Sequence, residues 1–180
     1  MMNSEFRTKE KGFTLIELLI YAALSVIIGL VVVVVFLQVV NVVESSRRSR
    51  ESLDSAKRAM DVIVQEIKHA EGIYTPTSAF DINPGQLSLE TKRDADFVDE
   101  ESTYVDFYVD DDRLYMKRES QAAQLVISEK VKVEELIFTR LNIAGDKSAV
   151  RVKIRIAYAD PIAGPTSSVT LYSTAALRAY

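Results

Sequence analysis

Cysteine is absent from the sequence and histidine occurs only once, and both facts exclude kinds of chemistry. Without cysteine the chain can form no disulfide, no thiolate metal cluster and no cysteine nucleophile. The single histidine, His69, has no second histidine to complete a metal site, and no serine lies in a G-x-S-x-G elbow. No glycine-rich loop of the kind that cradles phosphates is present. We therefore expect His69 to be a solvent-exposed helical residue, and the sequence predicts no enzyme, no metal site and no cofactor.

Long tracts of a single charge are also absent, and the formal net charge is -4. Because basic and acidic residues are interspersed, nothing in the sequence indicates a nucleic-acid partner. Two short acidic clusters stand out, formed by Asp94, Asp96, Asp99, Glu100 and Glu101, and by Asp110, Asp111 and Asp112. Carboxylates can bind calcium, but the spacing here matches no calcium loop. We interpret both clusters as solvated charges of loops and turns.

The most apolar part of the chain is the uncharged stretch from Leu18 to Val43. It exceeds the roughly 20 residues that a helix needs to cross the bilayer core, so it predicts one transmembrane segment. The basic residues Arg7, Lys9 and Lys11 precede it, as in a secretory signal peptide. A removable signal has an apolar region of about 7–15 residues and a small-residue cleavage site, whereas this stretch is longer and ends in valine. We expect the segment to remain attached as an anchor.

One carboxylate, Glu17, lies at the beginning of this apolar segment. A charge at the centre of a membrane helix costs about 2.5–3.5 kcal/mol, so such a residue is a functional candidate that needs a counter-charge. The structural alternative is that Glu17 only extends its carboxylate to the lipid headgroups from the end of the helix.

The residues around Glu17 form a short motif, KGFTLIE at residues 11–17, between a basic leader and a long apolar helix. This motif resembles the type III signal sequence of type IV prepilins and pseudopilins. The resemblance implies that a prepilin peptidase cuts the chain between Gly12 and Phe13 and methylates the new amino terminus of Phe13. It also implies that Glu17 pairs with the amino terminus of Phe13 of a neighbouring subunit, which would neutralise both charges in an apolar filament core.

The same resemblance implies where the chain resides and what it contacts. Its partners would be the prepilin peptidase, other pilin or pseudopilin subunits, the inner-membrane assembly platform and, before assembly, the lipid bilayer. The anchor would cross the inner membrane once, with the C-terminal domain outside the cytoplasm. Basic residues after the apolar segment outnumber those before it, which by the positive-inside rule favours the opposite orientation. We give more weight to the motif because it is much rarer than a charge bias.

The anchor helix is predicted to run from Phe13 to about Glu71, because neither glycine nor proline occurs between Val43 and Gly72. Beyond residue 44 its apolar residues recur at steps of three and four and form one stripe, Leu53, Ala56, Met60, Ile63, Val64 and Ile67. A coiled coil is the alternative, but the stripe covers fewer than four heptads and strand patterns follow it directly. We therefore expect the stripe to pack on a sheet.

Six segments after the helix have strand patterns: Gln86–Glu90, Val105–Val109, Leu114–Met116, Val131–Leu141, Ala149–Tyr158 and Ser168–Ala175. Asp110–Arg113 is predicted to be a hairpin turn. The predicted fold is α+β and pilin-like, with one long N-terminal helix packed on a mostly antiparallel β-sheet. The predicted divisions are a cleaved leader at 1–12, the membrane half of the helix at 13–43 and a soluble domain at 44–180.

Three stretches of the soluble domain, MDVIVQEIKHAEGI, YVDFYVDDDRLYMK and LYSTAALR, are similar to minor pseudopilins of the J type and minor pilins of the W type. The resemblance implies a structural subunit of a type IV pilus or a type II secretion pseudopilus. Many pilins of diderm bacteria carry a C-terminal cysteine pair that is missing here, which excludes an adhesive loop closed by a disulfide. The alternative is a single-pass membrane-anchored protein whose outer domain binds a ligand or partner.

Overall fold

The computed structural model describes Gly12 and residues 14–92, 102–143, 147–159 and 168–177. The chain divides into two units, Met1–Glu44 and Ser45–Tyr180. Within the described ranges it forms one helix and eight strands: α1 (Leu15–His69), β1 (Gly72–Ile73), β2 (Leu87–Thr91), β3 (Thr103–Asp110), β4 (Arg113–Arg118), β5 (Gln124–Leu125), β6 (Val131–Ile143), β7 (Lys147–Tyr158) and β8 (Ser168–Ala176).

The part of α1 in the second unit buries one stripe of side chains, as predicted. The buried residues are Ser52, Ser55, Ala56, Ala59, Met60, Ile63 and Ile67. Leu53 and Val64 were predicted to belong to the stripe, but both are only half-buried. The residues at the start of the buried stripe have small side chains, namely Ser52, Ser55 and Ala56. Leu53 and Val64 lie at the margins of this stripe.

The first sheet has five antiparallel strands in the order β1-β2-β3-β4-β5. Its strand β3 alternates as the sequence predicts, with Val105 and Phe107 buried and Tyr104, Asp106 and Tyr108 on the outer face. The outer face is the solvated side of this sheet, because the core lies against its other side.

The β3–β4 hairpin turns at Asp111 and Asp112, within the predicted turn. Both residues have positive φ angles, 46° at Asp111 and 56° at Asp112. A two-residue hairpin loop with both φ angles positive is the I′ type, which matches the twist of the flanking strands. The carbonyl of Asp112 accepts a hydrogen bond from the N–H of Val133 at 2.7 Å, which connects the hairpin to the beginning of β6.

The second sheet has three antiparallel strands in the order β6-β7-β8. On β7 the apolar residues Val150, Val152, Ile154 and Ile156 are fully buried, as their alternation with basic residues predicts. The strands therefore form two sheets, whereas the sequence predicts one. The α+β class with a long N-terminal helix on antiparallel sheets is confirmed.

The loop before β2 covers the outer edge of β6. The N–H of Asp81 donates to the Phe138 carbonyl at 2.9 Å, and the N–H of Gly85 donates to the Leu136 carbonyl at 2.8 Å. The N–H of Leu136 donates in turn to Asn83 Oδ1 at 3.0 Å. Unpaired edge strands template unwanted pairing, so this loop both joins the two sheets and protects β6.

Gly85→Ala is expected to destabilise the second unit by about 1–3 kcal/mol through overpacking. A Cβ at Gly85 would lie 3.2 Å from the carbonyl oxygen of Leu136 and 3.3 Å from that of Ala79, and backbone atoms cannot move aside cheaply. Gly72→Ala is the matched control, since its new Cβ would come closest to the flexible end of Glu90, at 3.3 Å. Urea unfolding of both variants tests this, and equal stability of the two would contradict the close approach at Gly85.

The second half of α1 contacts both sheets. Arg118 on β4 forms an ion pair with Glu66 on α1, with Nη2 and Oε1 separated by 2.7 Å and side chains only 18% and 11% exposed. The guanidinium of Arg48 lies 6.0 Å from the ring centroid of Tyr158 on β7. Helix and sheets share one apolar core, in which Phe107 and Phe138 are the largest fully buried side chains.

Candidate processing and assembly site

Thr14 caps the first turn of α1. The N–H of Glu17 donates a hydrogen bond to Thr14 Oγ1 at 3.3 Å, and the N–H of Leu18 donates to the Thr14 carbonyl at 3.2 Å. Threonine followed three residues later by glutamate is the capping-box pattern, which satisfies N–H groups that lack a partner inside the helix. Thr14 is not among the residues predicted to have a role, although the T-x-x-E spacing of residues 14–17 is a signal for this cap.

Gly12 lies two residues before this cap and is exposed. A Cβ placed on it would meet no atom within 4 Å, so the described part of the chain leaves its surroundings open. Phe13 and residues 1–11 of the leader lie outside the described residues. Cleavage between Gly12 and Phe13 stays a prediction, for which an accessible Gly12 is a necessary condition.

Glu17 lies in the first turn of α1, and its side chain is half-buried. Among the residues that the structure describes, no basic side chain forms an ion pair with it. The helix dipole stabilises a carboxylate at this position by about 0.3–1 kcal/mol, which is less than the cost of a charge in an apolar environment. Within the described ranges, Glu17 therefore has no counter-charge of the kind that its position in the sequence calls for.

The first unit presents an exposed apolar helix. Large hydrophobic side chains are exposed along it from Leu15, at 84%, to Val43, at 46%. By length and composition α1 is able to cross a membrane. Such a surface is unfavourable in water, at about 25 cal/mol for each Å² of apolar area, so lipid or other apolar helices must cover it.

The residues considered for metal binding do not converge. His69 is exposed, and its Nδ1 lies 2.7 Å from the carbonyl oxygen of Gln65, one turn earlier in α1. Asp111 and Asp112 form the exposed turn of the β3–β4 hairpin. The first acidic cluster, at residues 94–101, lies outside the described residues. Across the described ranges, no group of three or more metal-ligating side chains comes together.

These elements define a class of protein, namely a pilin-like α+β chain. Its helix begins at a capped first turn, continues as an exposed apolar anchor and then packs on antiparallel sheets. Residues 7–36 match the family model described as the prokaryotic N-terminal methylation motif. The match supports a type IV pilin-like family and confirms the resemblance recognised from KGFTLIE. Comparison with curated proteins and with solved structures finds no match.

The methylation motif indicates a prepilin-type protein with an N-terminal anchor helix. It marks a structural pilin-type family rather than an enzyme family, and it implies processing by a prepilin peptidase and assembly with other pilin subunits. Together with the long apolar helix it fits a single-pass anchor in the inner membrane.

Proposed function

We propose that this chain is a structural filament subunit, a minor pilin or pseudopilin of a type IV pilus or a type II secretion pseudopilus. Prepilin peptidase cuts it between Gly12 and Phe13, and Phe13 becomes the methylated amino terminus. Residues 13–43 hold the subunit in the inner membrane, with residues 44–180 outside the cytoplasm, until the assembly platform transfers it to the filament. Within this class we assign the soluble domain to the J-type minor pseudopilins or W-type minor pilins.

The proposal is supported above all by the methylation motif joined to an exposed apolar helix. This helix needs an apolar environment both before and after assembly. Lipid provides it before assembly, and a bundle of subunit helices provides it in the filament. Glu17 distinguishes a filament subunit from a plain anchor, because a carboxylate is costly in lipid. Cleavage creates a cation at Phe13, and the Glu17 of one subunit pairs with the Phe13 amino group of the next.

The proposal predicts that an active prepilin peptidase removes residues 1–12 and adds a methyl group to the chain. The measurement is the intact mass of the chain extracted from the membranes of cells that also express the peptidase. A peptidase whose catalytic aspartates are replaced is the control, and with it the chain should keep its full length. Gly12→Val is the matched control in the substrate, because a branched side chain hinders entry of the backbone into the peptidase site.

A full-length, unmethylated chain beside an active peptidase would refute processing. The chain would then be described better as a single-pass membrane-anchored protein whose outer domain binds a ligand or partner. Cleavage of wild type and Gly12→Val alike would place the cut elsewhere in the leader.

A further inference from the structure

A pocket opens on the outer face of the first sheet, where the loop between β1 and β2 meets the β3–β4 hairpin. Its volume is about 360 Å³. This value lies at the low end of the roughly 300–1,000 Å³ typical of small-molecule sites. All residues that line it belong to the second unit, and none of them takes part in the proposed cleavage or charge pairing.

Two tyrosines form an aromatic wall of the pocket. Tyr74 comes from the loop after β1 and Tyr104 from β3, and their ring centroids are 5.0 Å apart with an interplanar angle of 57°. The loop is held on the sheet, since the N–H of Tyr74 donates to the Ser88 carbonyl at 2.9 Å. Ser78 Oγ donates to the Tyr74 carbonyl at 2.7 Å. The wall is therefore formed before any ligand arrives, and it offers ring faces together with phenolic hydroxyls.

The charged groups of the pocket are held by the hairpin. Asp106 and Lys117 are direct cross-strand partners on β3 and β4. Nevertheless, neither has an ion-pair partner among the residues that the structure describes. Glu119 is positioned by a backbone contact, because its Oε2 accepts a hydrogen bond from the Tyr104 N–H at 3.3 Å. The pocket thus presents two carboxylates and one ammonium group.

The hydrogen-bond donors, acceptors and charges of the pocket together indicate which class of ligand it can bind. The carboxylates of Asp106 and Glu119 accept hydrogen bonds, the ammonium of Lys117 donates them, and the tyrosine hydroxyls do both. The two carboxylates would repel an anionic ligand, and the ammonium of Lys117 would repel a cationic one. A sugar satisfies all of these groups, because each of its hydroxyls both donates and accepts, and the C–H face of a pyranose ring packs on an aromatic ring.

We propose that this pocket binds a neutral carbohydrate of one or two pyranose rings. The tyrosine wall packs against one ring face, while Asp106, Lys117 and Glu119 bind its hydroxyls. The site lies on the domain that the proposed function places outside the cytoplasm, but sugar binding requires neither cleavage nor assembly. Its test therefore fails or succeeds independently of the peptidase experiment.

The test is saturation-transfer NMR on the full-length chain in lipid nanodiscs, which avoid detergents that carry sugar headgroups. The probes are glucose, galactose, mannose and N-acetylglucosamine, together with maltose, lactose and chitobiose. We expect saturation transfer to the ring protons of at least one probe. Asp106→Asn should weaken its binding about tenfold, because a hydrogen bond to a charged group contributes about 1.5–3 kcal/mol. Tyr104→Ala should also reduce the transfer.

Tyr108→Ala is the matched control, because Tyr108 lies on the same strand and face but does not line the pocket. It should bind the sugar as the wild type does. Asp106→Asn changes one atom on the outer face, and circular dichroism checks that it folds. If a disaccharide binds more tightly than the monosaccharides, the natural ligand is part of a glycan chain. If both bind equally, the natural ligand is a free sugar. Either result supports the proposal. No transfer to any probe, equal transfer with Asp106→Asn, or a preference for arginine methyl ester over every sugar would overturn it.

Discussion

Glu17→Ala is expected to reduce incorporation of the chain into filaments by more than a hundredfold, while membrane insertion and folding stay normal. In the proposed filament the carboxylate of Glu17 neutralises the amino terminus of Phe13 of a neighbouring subunit. Removal of one member of a buried ion pair leaves the other unpaired and costs about 3–5 kcal/mol, and each 1.4 kcal/mol is a factor of ten. The substitution keeps the cap of the first helical turn, because the backbone N–H of residue 17, and not its side chain, donates the hydrogen bond to Thr14 Oγ1.

The measurement compares the amount of the chain in sheared filaments with the amount in the membrane fraction. Glu17→Asp keeps the charge and should restore part of the incorporation. Gln38→Ala is the matched control in the same apolar helix, since it removes an uncharged polar group and should assemble normally. Normal incorporation of Glu17→Ala would refute the pairing and favour a carboxylate that only reaches the headgroups.

Phe107→Ala is expected to destabilise the second unit by about 3–5 kcal/mol, as loss of a buried aromatic side chain typically does. Phe107 is 0% exposed and is among the largest buried side chains of the core shared by α1 and both sheets. A domain has only about 5–15 kcal/mol of total stability, so the variant should unfold at a much lower urea concentration. Far-UV circular dichroism of the full chain in detergent follows this transition.

The neighbouring residue Tyr108 provides the control for Phe107. Tyr108 points to the outer face, where its ring stacks on Tyr115 with centroids 5.9 Å apart. An aromatic pair of this kind contributes about 0.5–1.5 kcal/mol, so Tyr108→Ala should cost much less than Phe107→Ala. Phe107→Leu should lose an intermediate amount because it leaves a smaller cavity. Equal losses for Phe107→Ala and Tyr108→Ala would contradict the assignment of the two faces of β3.

The candidate assembly site was largely readable from the sequence, because it is local. Gly12, Thr14 and Glu17 lie within one short segment, and the capping pattern depends only on their spacing. No described residue forms an ion pair with Glu17, and in our proposal its partner is supplied by a neighbouring subunit. The sugar pocket is different, because Tyr74 and Tyr104 are separated by β2 and come together only when the sheet forms. No spacing rule links two such residues.

By itself, the sequence determined the apolar anchor, the motif that supports a pilin-like family and the long strands. Each of these depends on a run or a period within a few residues, such as the alternation along β7. Only the tertiary structure decided that the strands form two sheets, that the two-residue strands β1 and β5 exist, and that the loop before β2 covers β6. These features depend on hydrogen bonds between distant segments, and two residues are too few to show a period. The burial of Ser52 rather than Leu53 was decided in the same way, because the packing of α1 on the sheets determines which face of the helix is covered.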